Sequence, residues 1–337
     1  MTWGAPLLAA PPLPEPAVPT PQEPASTYPT PSGAISTPPS SSPFAPPPNL
    51  SKNPIDVLPG DVIYPPLGDK PARPIKWDPE WPRFSTADWI ITGTGAAITL
   101  ATAIIPPSKK HSLVGGIVFD DSARNTLRLP TSEGRYIARD TSDVILSLEA
   151  TWPFFVDALI TTWWYHGSPD AAAQMALVDG EALAIVTAIQ GATNTLVSRE
   201  RPYGQTCGSP QLPNQTNDCE GSVRYRSFFS GHTAFTFMAA SLICVHHIKL
   251  DLMDGPGDEL SCVTAYAGAA ATGALRVMGD MHYASDVMVG AGVGTLVGLA
   301  VPLLHYRRVN LAPEEKKTAI DWRVIPVGAG LGVGGIF

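Results

Sequence analysis

The sequence predicts an all-α fold: a bundle of six long helices, expected to span a membrane, preceded by a disordered proline-rich arm. Two observations predict it. Six long apolar segments follow residue 87, and their lengths suit helices that cross a bilayer. Before that point lie 24 of the 36 prolines, in a stretch with few residues able to build a core. The expected parts are an arm over residues 1–76, a helical domain over residues 77–308 and a glycine-rich tail over residues 309–337.

The six apolar segments differ in how well they suit a bilayer. The first has twenty residues without a charge and stops at Lys109 and Lys110. The second and third carry carboxylates, which are costly at bilayer depth and normally face a bundle interior. A soluble helical domain would hold these carboxylates more easily, so it stays open as an alternative to six spans. The segments are residues 89–108, 143–167, 175–197, 233–250, 260–275 and 286–306, and the carboxylates are Glu149, Asp157, Asp179 and Glu181.

Basic residues and cysteines bear on the orientation in the membrane. Lysines and arginines precede the first segment and follow the last, which by the positive-inside rule places both ends in the cytoplasm. Six crossings then put the polar loop with Cys207 and Cys219 outside the cytoplasm, where a disulfide between them could persist. Cys244 and Cys262 could be buried thiols or a second bridge. A second bridge would contradict this orientation, because its loop would be cytoplasmic.

Several features argue against other kinds of site. The net charge of −8 comes without a basic stripe interleaved with aromatic residues, which argues against nucleic-acid binding. His246 and His247, next to Lys249, are interpreted as a solvated helix end rather than a metal site. The stretch GAGLGVGGIF lacks the strand–turn–helix context of a nucleotide-binding loop, and it predicts a flexible tail or a short strand.

Three polar clusters fall at predicted helix boundaries on one side of the bundle. Arg201 and Arg276 offer planar, permanently charged guanidinium groups suited to phosphate oxygens. Ser230 and Gly231 open a helix, where backbone N–H groups and the helix dipole favour an anion. The clusters read SRERPYG, FFSGHT and LRVMGDMHYASDV. Together they predict an anion-binding site.

Two histidines in these clusters suit phosphoryl transfer. His282 and Asp286 are four residues apart, so they share one face if the segment is helical. The carboxylate would then accept a hydrogen bond from one ring nitrogen and leave the other nitrogen as a nucleophile. His232 would protonate the leaving oxygen and then act as the base towards water.

The order and spacing of the clusters resemble those of the type 2 phosphatidic acid phosphatase (PAP2) superfamily, which also contains bacterial non-specific acid phosphatases and vanadium haloperoxidases. Its motifs read K-x6-R-P, P-S-G-H and S-R-x5-H-x3-D; the corresponding stretches here read NTLVSRERP, FSGH and LRVMGDMHYASD. The resemblance covers residues 143–306 and implies the family's helical bundle and its chemistry without a metal or other cofactor, with vanadate able to bind as a phosphate mimic. It implies catalytic roles for His232, His282 and Asp286, and phosphate binding by Asn194, Arg201, Ser230, Gly231 and Arg276.

Three positions depart from the family's motifs. Asn194 takes the place of lysine, which removes a positive charge from the phosphate cradle, although its amide can still donate a hydrogen bond. Phe229 replaces proline and Leu275 replaces serine, and the loss of the serine removes one phosphate donor. Arg199 is a candidate source of the missing charge, but on an ideal helix it points elsewhere.

The leading hypothesis is a membrane-embedded phosphatase that hydrolyses a phosphomonoester or pyrophosphate on a lipid, of the phosphatidic acid or polyprenyl pyrophosphate type, through a phosphohistidine. Its expected partners are the lipid phosphate and the membrane, and its expected place is a bacterial inner membrane with the site facing the periplasm. Two alternatives stay open. One is a soluble acid phosphatase or a vanadate-dependent haloperoxidase. The other is an inactive membrane protein that binds phospholipid head groups, or binds partners through the proline-rich arm.

Overall fold

A computed structural model describes residues 72–108, 115–208 and 219–307, together with the backbone of two strands near the C-terminus. Within this part of the chain there are seven α-helices, and the third continues directly into a π-helix, Pro153–Tyr165. The α-helices are α1 (Thr86–Ile104), α2 (Asp120–Leu127), α3 (Ser132–Trp152), α4 (Pro169–Val197), α5 (Gly231–Leu250), α6 (Pro256–Met278) and α7 (Ala284–His305). The antiparallel strands are β1 (Asp321–Val327) and β2 (Gly330–Ile336).

The helices confirm the predicted all-α bundle. Each of the six apolar segments coincides with a long helix, the second with α3 and its π-helical continuation. α2 was not predicted, because its eight residues are mostly polar and lack the apolar run that marks the other helices. In the predicted glycine-rich tail, β1 and β2 pair as a hairpin, which decides between the flexible tail and the short strand in favour of strands.

α5 is the central helix of the bundle, and it packs against α3, α4, α6 and α7. Most of its side chains are buried, including Met238 and Leu242. α7 approaches α5 so closely that a β-carbon at Gly294 or Gly298 would collide with the α5 backbone. Small residues thus permit the close packing that the composition of the segments predicts.

Apolar side chains cover much of the outside of the bundle. On α1, for example, Ile90, Leu100 and Ile104 are exposed. Exposed apolar surfaces of this extent mark contact with a membrane or a partner. Among the described residues, five helices are long and apolar enough to cross a membrane, by length and composition, which is typical of a membrane protein. They are α1, α3 with its π-helical continuation, α4, α5 and α7.

α6 is a predicted span that falls short of this criterion. Asp258 and Glu259 lie in its first turn and Arg276 in its last, and the residues between them are mostly alanine, glycine and threonine. Its outer face still exposes Leu260 and Val263. Five of the six predicted spans therefore meet the criterion, and the sixth is a helix of mixed character.

Two disulfides join the four cysteines. Cys207 and Cys219 pair as predicted, in the segment between α4 and α5. Cys244 and Cys262 also pair and link α5 to α6, so the alternative of two buried thiols is wrong. The first bridge lies near the start of α5, and the second lies in its last third. Disulfides therefore do not favour the predicted orientation over the reverse one.

The interpretation of His246 and His247 as a solvated helix end is wrong. Both imidazoles are buried. His246 Nε2 lies 2.8 Å from Asp179 Oδ1, and His247 Nδ1 lies 2.6 Å from Asp258 Oδ1. Carboxylates on α4 and α6 therefore hold the two rings inside the bundle. The partner of His246 lies 67 residues away and that of His247 lies in the next helix, so local polarity alone suggested solvent.

The residues just before α1 pack against the end of α7. Ile75 and Trp77 are buried, and the rings of Trp77 and Tyr306 have centroids 5.0 Å apart. Trp81 adds an edge-on contact to both rings. Most of the predicted proline-rich arm, up to residue 71, lies outside the described residues and stays a prediction.

Candidate active site

The three predicted clusters meet where α4 ends and where α5 and α7 begin. α4 ends because Ser198 adopts a left-handed conformation with a φ of 48°. The Ser230 hydroxyl opens α5 by accepting a hydrogen bond from the Thr233 amide at 3.4 Å. Asp286 opens α7 by accepting one from the Tyr283 amide at 3.0 Å. Three segments that are distant in sequence thus bring polar side chains to one end of the bundle.

His282 is buried, and its tautomer is fixed. Its Nδ1 lies 2.8 Å from the backbone carbonyl oxygen of Ser227. Because a carbonyl only accepts, Nδ1 carries the proton and Nε2 holds a lone pair. Burial lowers the pKa of His282 well below its usual value. The charges of Arg201 and Arg276 lower it further, as does His232, so these four side chains share one electrostatic environment.

Asp286 does not hold His282 directly. Its Oδ2 lies 3.9 Å from His282 Nδ1, which is beyond hydrogen-bond distance. That oxygen instead accepts a hydrogen bond from the Ser227 hydroxyl at 2.6 Å. The predicted direct hydrogen bond is therefore wrong, because His282 precedes α7 and the helical spacing of four residues does not apply. Asp286 reaches the imidazole through Ser227.

Arg199 joins Asp286 to a second carboxylate, Asp120 of α2, which was not predicted from the sequence. Nη1 of Arg199 lies 2.6 Å from Asp286 Oδ1, and Nη2 lies 2.8 Å from Asp120 Oδ2. All three side chains are fully buried. Burial alone would raise the pKa of Asp120, but hydrogen bonds from Ser285 and Arg199 outweigh it and lower that pKa. The three groups form a buried, charged network behind the site.

This network excludes Arg199 as the source of the positive charge that Asn194 lacks. Both ends of its guanidinium group are taken by carboxylates. The direction of the Arg199 side chain could not be predicted from helical periodicity, because α4 ends at the left-handed Ser198, one residue before Arg199. Asp120 carried no sequence signal, because it lies in a short polar helix outside the motifs.

Asp143 of α3 connects two of the predicted site residues. Its Oδ1 lies 2.7 Å from His232 Nε2 and 2.9 Å from Arg276 Nη1. The carboxylate is half exposed, whereas Arg276 is buried. Burial lowers the pKa of Arg276 to about 9, with a further contribution from Arg201. A bound phosphate would meet the same two donors. Asp143 was not predicted as a site residue. The sequence signal that could have indicated it is its position as a carboxylate at the start of an apolar segment.

Asn194 supports the chain that leads into α5. Its side chain is fully buried. Nδ2 donates to the carbonyl oxygen of Gln190 at 3.1 Å and to that of Phe229 at 3.4 Å. Its Oδ1 is buried and has no hydrogen-bond partner within the described residues. The residue at the lysine position is therefore a neutral group that is engaged with the backbone.

Ser230 and Gly231 are both buried at the start of α5. The Ser230 amide donates to the carbonyl oxygen of Asp286 at 3.1 Å, so it is not available to an anion, contrary to the prediction. Gly231 provides space, because a β-carbon there would lie 2.9 Å from Gln190 Nε2. Ser230 therefore links α5 to α7, which keeps the two histidine-bearing segments together.

Known protein families provide an independent comparison. A family model described as the PAP2 superfamily matches residues 177–310. By this match, the stretch is similar to the PAP2 superfamily. It includes most of α4, all of α5, α6 and α7, and every predicted site residue from Asn194 to Asp286. Two carboxylates that were not predicted from the sequence, Asp120 and Asp143, precede the matched stretch.

A similar protein is the lipid A 1-phosphatase of Porphyromonas gingivalis, which is 27% identical over 214 residues. The alignment covers 58% of this chain and 42% of that protein, so the chain spans less than half of that relative's length. No solved structure matches the chain.

Proposed function

We propose that the protein is a phosphatase that hydrolyses a phosphomonoester or pyrophosphate on a lipid, through a phosphohistidine at His282. The observation that carries the proposal is the neutral, buried His282 imidazole. Its Nδ1–H donates to the Ser227 carbonyl oxygen, so the lone pair on Nε2 is free to attack phosphorus. The charges of Arg201 and Arg276 lower the pKa of that ring, so both guanidinium groups belong to its electrostatic environment, and such groups suit phosphoryl oxygens. The PAP2 family match supports the same assignment.

Hydrolysis on these residues takes two balanced steps. In the first, His282 Nε2 forms a bond to phosphorus while the bond from phosphorus to the leaving oxygen breaks. His232, which is an imidazolium once the anionic substrate is bound beside it, gives that oxygen the proton on Nε2, the nitrogen that contacts Asp143 in the free protein. In the second step a water oxygen attacks phosphorus, its proton passes to His232, and the phosphorus–nitrogen bond breaks. Phosphate leaves, and both histidines regain their starting states.

The two arginines stabilise the charge that builds up on the phosphoryl oxygens. Arg276 is buried, so its attraction for an anion is screened little by water. The substrate takes the place of the Asp143 carboxylate on Arg276 and His232. We propose that the chemistry needs no metal or other cofactor, and that vanadate binds as a mimic of the transferred phosphoryl group.

A lipid substrate is inferred from the setting of the site. The helices that carry the site residues include candidate membrane spans with exposed apolar faces, so acyl chains can stay in the membrane while the phosphate reaches the ends of the helices. The name of the Porphyromonas gingivalis relative also supports a lipid phosphate. We propose a bacterial inner membrane as the location, with the site facing the periplasm. This orientation is supported by the basic residues that flank the bundle, because the second disulfide removes the support that the first one gave.

Phosphate release by the purified protein in detergent tests this function. The substrates are phosphatidic acid, a polyprenyl pyrophosphate and a glycolipid 1-phosphate, with p-nitrophenyl phosphate as the water-soluble comparison. We expect one of the lipids to have the highest kcat/KM. Equal turnover of the soluble ester, with recovery of the protein without detergent, would favour a soluble acid phosphatase. Halide oxidation that depends on added vanadate would favour a haloperoxidase.

The neutral, buried Asn194 favours a second candidate function, an inactive membrane protein that binds phospholipid head groups. Replacing Asn194 by lysine separates the two. A hydrogen bond from a charged donor contributes about 1.5 kcal/mol or more, which corresponds to roughly tenfold in affinity. We expect the native protein to be active and the Asn194→Lys variant to have a KM lowered about tenfold in steady-state kinetics.

The Asn194→Gln variant is the matched control, because it lengthens the side chain without adding a charge. Its KM should stay near the native value or rise. Activity in Asn194→Lys with none in the native protein would identify the native chain as the inactive binder.

Asp143 competes with the substrate for Arg276 and His232. Replacing Asp143 by asparagine removes the competing charge at nearly constant shape. We expect KM to fall by roughly three- to tenfold, because the substrate no longer displaces an ion pair that is partly exposed. We expect kcat to stay close to the native value, because the bound substrate has already displaced that carboxylate from His232. Steady-state kinetics and vanadate inhibition test both expectations.

The control is Asp140→Asn, which changes an exposed carboxylate on the same helix that pairs with Arg139. It should leave both KM and kcat unchanged. If Asp143→Asn raised KM, or behaved like Asp140→Asn, the competition between Asp143 and the phosphoryl group would be ruled out.

A further inference from the structure

A second cluster of ligand-type side chains lies far from the candidate active site. Asp88 of α1, Glu181 of α4 and His305 of α7 each bring one oxygen or nitrogen atom within 4.8 Å of the others. His282 lies just before α7, and His305 is the last residue of that helix. About 30 Å of helix therefore separates the two sites.

This cluster holds two carboxylates without a guanidinium or ammonium partner. Glu181 is buried, and its Oε2 lies 2.9 Å from His305 Nε2. Among the described residues, neither Glu181 nor Asp88 forms an ion pair with lysine or arginine. Two carboxylates this close, one of them buried, are costly unless a cation balances their charge.

His305 provides an independent observation. Its imidazole is only 5% exposed and stacks on Phe84, with ring centroids 5.8 Å apart. While Nε2 faces Glu181, Nδ1 is buried and has no hydrogen-bond partner in the described part of the chain. Nε2 is thus the ring nitrogen that faces the carboxylates, and an imidazole nitrogen beside carboxylate oxygens is a common ligand set for a divalent metal ion.

We propose that Asp88, Glu181 and His305 bind one divalent transition-metal ion, for which Zn²⁺ is the best match to one imidazole and two carboxylates. Three protein ligands leave the fourth position to water. Ligand atoms about 2.1 Å from a tetrahedral ion lie about 3.4 Å apart. The three atoms, now within 4.8 Å of one another, reach this geometry by small side-chain rotations.

The ion has a structural role in this arrangement. α1 packs mainly against α4, and its outer face is exposed. An ion with ligands on α1, α4 and α7 adds a link between α1 and the C-terminal end of the bundle. The proposal does not rest on the phosphatase function, because no ligand belongs to the candidate active site.

Zn²⁺ binding by the purified full-length protein in detergent tests the proposal. The protein is treated with a chelator, desalted and titrated with ZnCl₂ by calorimetry, and the bound metal is counted by elemental analysis. We expect one Zn²⁺ per chain and an unfolding midpoint that rises with Zn²⁺ until the site is full. His305→Gln should weaken binding at least about tenfold and abolish the rise.

The matched control is His246→Gln, which alters another buried histidine–carboxylate pair, that with Asp179. It should bind Zn²⁺ as the native protein does. Asp88→Asn is a second test variant, which should fold because Asp88 is only partly buried. Loss of binding in Asp88→Asn and His305→Gln, with binding kept in His246→Gln, supports the site. No stoichiometric binding by the native protein, or equal binding by all variants, overturns it. Phosphate release is assayed separately, so the Zn²⁺-binding result can be interpreted even if the protein proves not to be a phosphatase.

Discussion

Replacement of His282 by alanine is expected to abolish phosphate release from the lipid substrate. In the proposed mechanism Nε2 of His282 is the atom that bonds phosphorus, so its loss removes the covalent route. Removing a catalytic nucleophile has cost as much as about 10⁶-fold in kcat in a serine protease. We expect a loss of at least roughly 10⁴-fold here. The measurement is phosphate release in detergent, together with labelled substrate to detect an acid-labile, base-stable phosphohistidine.

The control for this variant is His246→Gln. His246 is also fully buried, but it lies near the far end of α5 and binds Asp179 and Tyr306. Its replacement should leave turnover and labelling close to native. Unchanged turnover in the His282→Ala variant would sink the phosphohistidine mechanism, and turnover without label would point to direct attack by water.

Replacement of Arg199 by methionine is expected to cause the largest loss of stability. The guanidinium group lies between Asp120 and Asp286, and all three side chains are fully buried. Breaking a buried ion pair by removing one partner costs about 3–5 kcal/mol, because the remaining charge stays buried without compensation. Here two carboxylates lose their partner at once. The unfolding midpoint in detergent, measured with and without ligand, should fall far below that of the native protein.

Arg83→Met is the matched control for Arg199→Met, because Arg83 pairs with Asp170 where both side chains are more than half exposed. Exposed pairs contribute about 0–1 kcal/mol, so this variant should unfold close to the native midpoint. Adding Asp120→Asn to Arg199→Met should recover part of the loss, since fewer charges are left unpaired. Equal midpoints for Arg199→Met and Arg83→Met would show that the buried network adds little stability.

The fold could be predicted well from the sequence, because long apolar helices are determined mainly by local periodicity. The six predicted segments match α1 and α3 to α7 for that reason. α2 escaped prediction because its eight residues depend on tertiary contacts, through Asp120 to Arg199 and Ser285. The interiors of the helices were harder to predict. His246 was expected in solvent, since its partner Asp179 lies 67 residues away in the chain.

The residues of the candidate site could be predicted from the sequence, but the contacts between them could not. Spacing brought His232, His282 and the two motif arginines to attention, and the structure places them in one electrostatic environment. Spacing could not show that a carboxylate on α3 bridges His232 and Arg276. Helical phase also gave a wrong contact for Asp286, because the chain leaves helical geometry at both ends of the relevant segments. The reactive groups lie in irregular turns at helix ends, and helical periodicity does not predict side-chain contacts there.

The backbone carbonyl oxygen of Ser227, which accepts the hydrogen bond from His282 Nδ1, has a consequence for how the sequence can vary. An acceptor supplied by the peptide backbone is present whichever amino acid occupies position 227. A replacement of Ser227 can remove the hydrogen bond from its hydroxyl to Asp286. The lone pair on His282 Nε2 nevertheless stays free, because the backbone carbonyl still holds Nδ1. The path of the main chain therefore orients the attacking lone pair. Substitutions can change the side chains around His282 without changing this orientation.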